Sequence, residues 1–318
     1  MAVVRVVIVT YNSSEVIGRC LSSLREDVIS GLAEVVVVDN GSTDDTLNIV
    51  DSFDWVHLLQ SEANVGFGAG NNKGAAGSGN DYLLFLNPDT IVKSDAIKLM
   101  VSFLAENNGV GVVGPAIEDE SGNVTLSTFR YVTPFHSIWI ATGLQRIIPL
   151  NRTDGRTEIR TSAPNRICKV DRLLGAVMAM PRSSFLSVGG FDENFFLYSE
   201  EEDLCKRIQD RGEAVIYFPD ARVRHIGGHS ALPESPLAIA SSVWSRQHFI
   251  QKHYGSFGEA VSRIVWAAAL CTKLLFVSAM PRYKDLRISY RLALRSLISP
   301  GFYSKDVRPK CVGFLDLK

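Results

Sequence analysis

The chain has no C-x-x-C pair: its five cysteines, Cys20, Cys168, Cys205, Cys271 and Cys311, lie far apart, with no histidine at zinc-ligand spacing. That excludes a structural zinc site and a framework of closely spaced disulfides, and it fits a reducing compartment. An excess of one charge is also missing, since 33 basic residues face 34 acidic ones and the formal net charge is −1. No global field recruits nucleic acid, which is not an expected partner, and an anionic membrane would have to be met by a local patch. No run of about 20 apolar residues is free of charge, so no spanning helix is predicted. The nearest approach, 264–280, is interrupted by Lys273 and preceded by Arg263. At the N-terminus Arg5 breaks an apolar stretch of roughly eight residues, too short for a signal peptide and the right length for a buried strand. Internal repeats and low-complexity tracts are absent too.

What is present is a chain of 318 residues, 46% hydrophobic, enough to bury a sizeable core. Through residue 118, short β-branched runs at 3–9, 34–39, 55–59, 82–87 and 110–117 alternate with amphipathic segments at 14–29, 44–52 and 94–107. Continuous apolar strands separated by helices predict a mostly parallel sheet covered by helices on both faces, with ligands at the carboxyl ends of the strands. Residues 119–166 predict long loops or a flap. After about 232 the pattern is helical, so the chain divides into a catalytic domain over 1–231 and a helical C-terminal extension over 232–318.

The strand ends carry the chemistry. "VDNGSTDDT" puts Asp39 at a strand end, Gly41 where a turn needs positive φ, and Ser42 or Thr43 as a cap before Asp44 and Asp45. It reads either as a plain strand-to-helix connection or as a carboxylate accepting hydrogen bonds from a base or ribose. "NVGFGAGNN" opens a helix with Gly66, Gly68 and Gly70, but its G-x-G-x-G spacing after the third strand disfavours a nicotinamide enzyme. In "LNPDT", Pro88 stiffens the turn, so that Asn87 and Asp89 are held at the strand's end. The pair suits either an Asx turn or a hard divalent cation taking further ligands from a diphosphate. In "YSEEEDLCKR", Ser199 and Glu202 form a capping box, while Glu200, Glu201 and Asp203 exceed what a cap needs and suit a general base of raised pKa. His225 in "RHIGGHS" ends another strand.

With these motifs in order, together with "GAVMAMPRSSFLSVGGFDENFF", residues 3–230 resemble the inverting, nucleotide-sugar-dependent glycosyltransferases of family 2 with a GT-A fold, and among them bacterial rhamnosyltransferases. The resemblance implies that Thr10, Tyr11 and Asn12 line the nucleoside pocket, that Asp39 reads the pyrimidine, and that Gly66 and Asn71 sit near ribose and diphosphate. Asn87 and Asp89 stand at the family's Asp-x-Asp motif, so Asp89 and His225 would bind Mg²⁺ or Mn²⁺. Glu201 stands where the family usually has Asp as base, with Glu200 in reserve. Gly175, Asp192, Phe195 and Phe196 would shape the acceptor pocket, unless the aromatics are core.

The implied function is transfer of a sugar, first L-rhamnose from dTDP-rhamnose, to a saccharide or polyprenyl-linked acceptor in cell-surface polysaccharide synthesis. A UDP-hexose or UDP-N-acetylhexosamine transferase, and a nucleotide-sugar-binding protein without catalysis, stay open beside it. The implied location is cytoplasmic. The C-terminal helices are open to a membrane surface on its inner face, to core packing or to a homodimer.

Overall fold

The computed structural model describes residues 3–141, 165–226, 236–278 and 284–299. Of the loop or flap expected over 119–166, residues 142–164 lie outside the described residues, as do Gly227–Gly228 and Cys311, while Pro134–Ala141 form a helix where loop was expected. Two compact units emerge: the described residues of Met1–Phe129, Thr161–Glu193 and Glu201–Ser230 form the first, and those of Arg130–Arg160, Asn194–Glu200 and Ala231–Lys318 the second.

The first unit opens with β1 (Val4–Thr10), α1 (Ile17–Ser23), α2 (Arg25–Ile29), β2 (Ala33–Asp39), α3 (Thr46–Asp51), β3 (Val56–Gln60) and α4 (Phe67–Ala75). It continues with β4 (Tyr82–Leu86), β5 (Thr90–Val92), α5 (Ala96–Glu106), β6 (Val110–Glu118) and β7 (Thr128–Phe129). After α6 (Pro134–Ala141), which belongs to the second unit, come β8 (Cys168–Lys169), β9 (Arg172–Leu173), β10 (Val177–Pro181), α7 (Arg182–Ser187), α8 (Glu200–Asp210) and β11 (Ala214–His225).

The sheet order is β3-β2-β1-β4-β10-β6-β11-β5, with β8 on β11. Strands β1, β2, β3, β4, β6 and β11 run one way and β5, β8 and β10 the other, so the sheet is mostly parallel, as the apolar runs predict. Arg5, the charge inside β1, sits opposite Glu34 on β2 and pairs with it, which is how the strand tolerates it. Side chains alternate between faces. Val4, Val6 and Ile8 pack with Ile17 and Leu21 of α1 and with the main core, which includes Met100 and Leu104 of α5. Val7, Val9 and Val38 meet α4 instead, which lies so close that a Cβ at Gly74 would stand 2.3 Å from Val7 Cγ1 and one at Gly70 2.8 Å from Val9 Cγ1. The chain leaves β1 for β2 and β3, then returns to β4 on its other side. This makes the carboxyl ends of β1 and β4 the topological switch point where ligands bind in open α/β sheets.

In the second unit, α9 (Pro236–Ser278) bends at Gly255 (φ 76, ψ 175) and is followed by α10 (Lys284–Ile298). Val243, Trp266 and Leu270 of α9 pack with Ala293 and Leu297 of α10. The apolar run that Lys273 interrupts lies within one helix, long and apolar enough by composition to cross a membrane, and only 17% of its most apolar window is buried. Lys273 does not break it, because its ammonium lies over the rings of Trp266 and Tyr290 at 5.9 and 5.6 Å.

Candidate active site

Thr10 and Asp39 end their strands side by side, paired in register. Asp39 is buried, and its Oδ2 accepts the backbone N–H groups of Gly41 and Ser42, both at 3.0 Å. Gly41 has φ 82, as the turn requires. One carboxylate oxygen is thus spent on the connection, and the other is not: Asp39 Oδ1 is buried with no hydrogen-bond partner among the described residues. Thr10 Oγ1, Asn40 Oδ1 and Asn71 Oδ1 share that condition. They belong to one place, because Asn40 N–H donates to Thr10 O at 2.9 Å and its side-chain amide to Gly66 O at 3.2 Å, at the start of the helix that carries Asn71. Each such atom costs about 1–3 kcal/mol unless a ligand satisfies it.

Asn12 is tied into the neighbouring loop. In a left-handed conformation (φ 49), its Oδ1 accepts Thr43 N–H at 2.8 Å and its own N–H donates to Ser42 Oγ at 2.9 Å, locking two loops together beneath the pocket. The cap before α3 is also reassigned. The helix begins only at Thr46, and Asp44 holds it, accepting from Thr46 N–H at 3.1 Å and from Ser14 N–H at 3.0 Å. Tyr11 is half-buried.

Beyond β4, Asn87-Pro88-Asp89 makes the turn into β5. Thr90 O–H donates to Asn87 O at 2.6 Å, and Cys20 of α1 lies behind the same carbonyl at 3.6 Å. Burial pushes the Cys20 thiol up to about 12, so it stays neutral there. Because β5 runs antiparallel to β11, Thr90 faces His225 and Asp89 O accepts Ile226 N–H at 3.0 Å. That pairing brings Asp89 Oδ1, on a residue only 1% exposed, to 3.1 Å from His225 Nε2. Nε2 is buried and makes no aligned hydrogen bond among the described residues. Two ligands at about 2.1 Å from one octahedral ion stand about 3 Å apart, the separation seen here. Among the described residues no group of three or more His, Cys, Asp or Glu is set to hold a metal. A cation here would take its remaining ligands from water and substrate.

Asn87 N–H donates to Ala176 O at 2.9 Å, and the neighbouring Gly175 lies against Glu201, whose Cβ would be 3.2 Å from a Cβ placed on the glycine. Glu201 therefore lies against the segment to which the Asn-Pro-Asp turn is hydrogen-bonded, and Asp89 of that turn pairs with His225. The crowding of acids expected to raise a carboxylate's pKa is answered by arginines. Arg172 Nη1 meets Glu201 Oε1 at 2.6 Å, and Arg207 Nε meets Asp203 Oδ2 at 2.7 Å while its Nη1 donates to Val188 O. Glu200 is the more buried of the two candidate bases. The capping box is not formed in the expected way. Tyr198 and Ser199 have φ of 71 and 65, not the extended backbone of a Ser N-cap, and this uncommon pair of left-handed residues stands directly before the base.

Phe195 requires a correction. It is 0% exposed, packed with Val132, Phe249 and Ile250 in the second unit and edge-on to His248, so its ring has no face to offer a sugar. Phe196 is buried as well, whereas Asp192 is partly exposed. Three residues escape a reading of motifs: Asn40, Arg172 and Asn72. Asn72 clamps Phe191 by exchanging two hydrogen bonds with its backbone, both 2.9 Å, and also donates to Glu193 Oε1, fixing the segment that carries Asp192. The "NN" of "GAGNNKG" is the one signal for it.

Comparison with known proteins finds relatives over most of the chain. Residues 5–160 match the sequence model of Glycosyl transferase family 2, and residues 156–229 that described as the N-terminal domain of galactosyltransferase. The chain is 28% identical over 305 residues to the N-acetylglucosaminyl-diphospho-decaprenol L-rhamnosyltransferase of Mycobacterium tuberculosis H37Rv, covering 90% of this chain and 97% of that protein. It is 26% identical to the rhamnosyltransferase WbbL of Escherichia coli K12, over 71% of this chain and 84% of that one. In fold it is similar to the mannosyltransferase PcManGT of Pyrobaculum calidifontis, solved in complex with GDP-Man and Mn²⁺, with a TM-score of 0.56 and 17% identity over 96% of this chain and 88% of that one.

Proposed function

The chain belongs to glycosyltransferase family 2 and has a GT-A fold, and from that premise we propose that it moves a sugar, first L-rhamnose from dTDP-rhamnose, with inversion onto a hydroxyl of a lipid-linked saccharide in cell-surface polysaccharide synthesis. The names of its relatives support the sugar and the acceptor class. The observation that carries the reading is the Asp89–His225 pair at 3.1 Å, supported by the buried oxygens of Thr10, Asp39, Asn40 and Asn71 that have no partner among the described residues.

In this reading Thr10, Asp39 and Asn71 receive the nucleoside and its ribose, which supply donors to oxygens that otherwise have none. Asp89 and His225 would hold Mg²⁺ or Mn²⁺. When bound, the cation supplies Lewis-acid neutralisation of the charge on the diphosphate. Asn87 contributes no charge, so the protein's negative share of the site is Asp89 alone. Glu201 takes the proton of the acceptor hydroxyl. The hydroxyl oxygen bonds to the anomeric carbon as the carbon–oxygen bond to phosphate breaks, and that electron pair leaves with the nucleoside diphosphate. Gly175 leaves room for the Glu201 side chain, and Asp192 faces the acceptor.

A lipid-linked acceptor is met at a membrane, and the second unit suits that meeting. Ile264, Leu275, Phe276 and Ile298 are exposed, Leu275 by 76% and Phe276 by 71%, and Arg291 and Arg295 lie exposed among them on α10. Between residues 260 and 300 the chain has seven basic residues and one acidic residue, Asp285. Exposed apolar side chains interleaved with arginine are the composition of an interfacial helix on anionic lipid. We place the protein there, on the cytoplasmic face.

The test pairs binding with turnover. Only a nucleotide bound by the folded state raises its melting temperature, so dTDP and UDP are compared with and without Mn²⁺, and transfer is followed with isotopic donors. dTDP stabilises more in the presence of metal, Asp89→Ala loses that increment, and Glu201→Gln keeps binding while transfer disappears. If Glu201→Gln transfers sugar at the wild-type rate, the assignment of the base fails.

A further inference from the structure

The segment Arg172–Gly175 holds the candidate base from two sides. Gly175 lies beneath the Glu201 methylenes, at a separation that no larger residue would permit without displacement. Arg172, 3% exposed, puts Nη1 at 2.6 Å from Glu201 Oε1 and has its guanidinium carbon 4.6 Å from the centre of the Phe129 ring. The segment itself is fixed. Strand β9 pairs with β7, matching Arg172 to Phe129, Leu174 N–H donates to Ser127 O at 2.8 Å, and Leu173 packs where a Cβ on Gly114 would stand 2.9 Å away. Among the described residues, Glu200, Glu202 and Cys205 are titratable neighbours of Glu201 on its own helix, and the buried Cys205 thiol is pushed up to about 12. Arg172 reaches Glu201 from another element, as a cation held against its carboxylate.

A glutamate has one more rotatable bond than an aspartate, so a glutamate base needs an external constraint to present its carboxylate in one place. A planar guanidinium, already held by an aromatic ring, provides one and favours the ionised form. We propose that Arg172 is a positioning residue for sugar transfer, which fixes the Glu201 carboxylate in its reactive rotamer and keeps it charged. This rests on Glu201 being the base.

The experiment is the pH dependence of kcat for wild type, Arg172→Gln and Arg172→Lys, with donor KM and melting temperature measured alongside. Without the guanidinium, Glu201 ionises less readily, so the acid limb for Arg172→Gln moves up by about one to three pH units. Its plateau kcat falls about ten- to a hundredfold through misplacement, and donor KM changes less than about twofold. Arg172→Lys restores the limb and part of the kcat, since lysine returns charge without the planar fork. A lower melting temperature for Arg172→Gln with an unmoved acid limb would mean a purely structural arginine and would overturn the proposal. Should Arg172→Gln not fold, Arg172→Lys decides: reduced kcat supports positioning, and wild-type kcat overturns it. Loss of transfer in Glu201→Gln, measured in parallel, keeps failure of the base assignment distinguishable from failure of this one.

Discussion

Gly74 offers a perturbation for which two physical effects predict opposite signs. It lies inside α4, where replacing glycine by alanine normally stabilises by about 1 kcal/mol through backbone entropy. Its absent Cβ, however, would stand 2.3 Å from Val7 Cγ1 and 3.0 Å from Val38 Cγ2. Normal carbon contact begins near 3.5 Å, so the helix or the strand must give by about 1 Å. Neither does so cheaply, because Val7 and Val38 are fully buried, β-branched and confined to one rotamer on paired parallel strands. Overpacking of this kind costs about 3 kcal/mol at the upper end of its usual range. Gly74→Ala is therefore net destabilising by about 2 kcal/mol, a fall in melting temperature of roughly 4–8 °C for a domain of this size. The same displacement moves Asn71, one turn earlier, and under the proposed role of Asn71 it weakens nucleotide binding about tenfold. Gly79→Ala is the control, with nothing within 4 Å of its added Cβ and a change of less than about 0.5 kcal/mol. Thermal melts with and without dTDP measure both consequences. A Gly74→Ala protein that melts at or above the wild-type temperature would refute the close approach of α4 to β1.

Glu118 provides a test by pH. Hydrogen bonding from Lys93, with further help from Arg222 at 3.2 Å, holds this buried carboxylate below its ordinary value of 4.5 despite desolvation. A depressed carboxylate stabilises the fold above its unfolded pKa and loses that contribution as pH falls through the folded value. Glu118→Gln is thus less stable than wild type at pH 7, and the difference narrows from pH 4.5 downward in urea melts. Among the described cysteines, Cys20 and Cys205 are buried with thiols pushed up to about 12, while Cys271 is exposed. At pH 8 a thiol reagent modifies Cys271 in the native protein and reaches Cys20 and Cys205 only after unfolding, as peptide mapping will record. Phe276→Glu reduces co-sedimentation with phosphatidylglycerol vesicles several-fold and leaves transfer to a soluble acceptor unchanged. Equal sedimentation of variant and wild type would rule out that face as the lipid contact.

The parts of this molecule that sequence makes legible are those whose physics is local. Apolar runs of strand length predict β1, β2, β3, β4 and β6 to within a residue or two, because the inner strands β1, β2, β4 and β6 are covered on both faces and are apolar at nearly every position, while the edge strand β3 is only half-buried. The Asn-Pro-Asp turn is equally local, since Pro88 constrains the backbone on both sides of itself. What sequence conceals is the choice of partner for a side chain. Phe195 and Asp192 stand three residues apart in "FDENFF", yet one is in the core of the second unit and the other is partly exposed in the first. Asn12 and Asp39 both lie at strand ends in polar motifs, yet the acceptor oxygen of Asn12 is bound by neighbouring loops while Asp39 retains a buried oxygen with no partner. Arg172 is the extreme case. Strand β9 has two residues, too few for any periodicity, and the arginine acquires meaning only when β7 supplies Phe129 and α8 supplies Glu201. A motif specifies which groups arrive at a strand end, and packing among distant segments decides which of those groups remain uncommitted and able to meet a substrate.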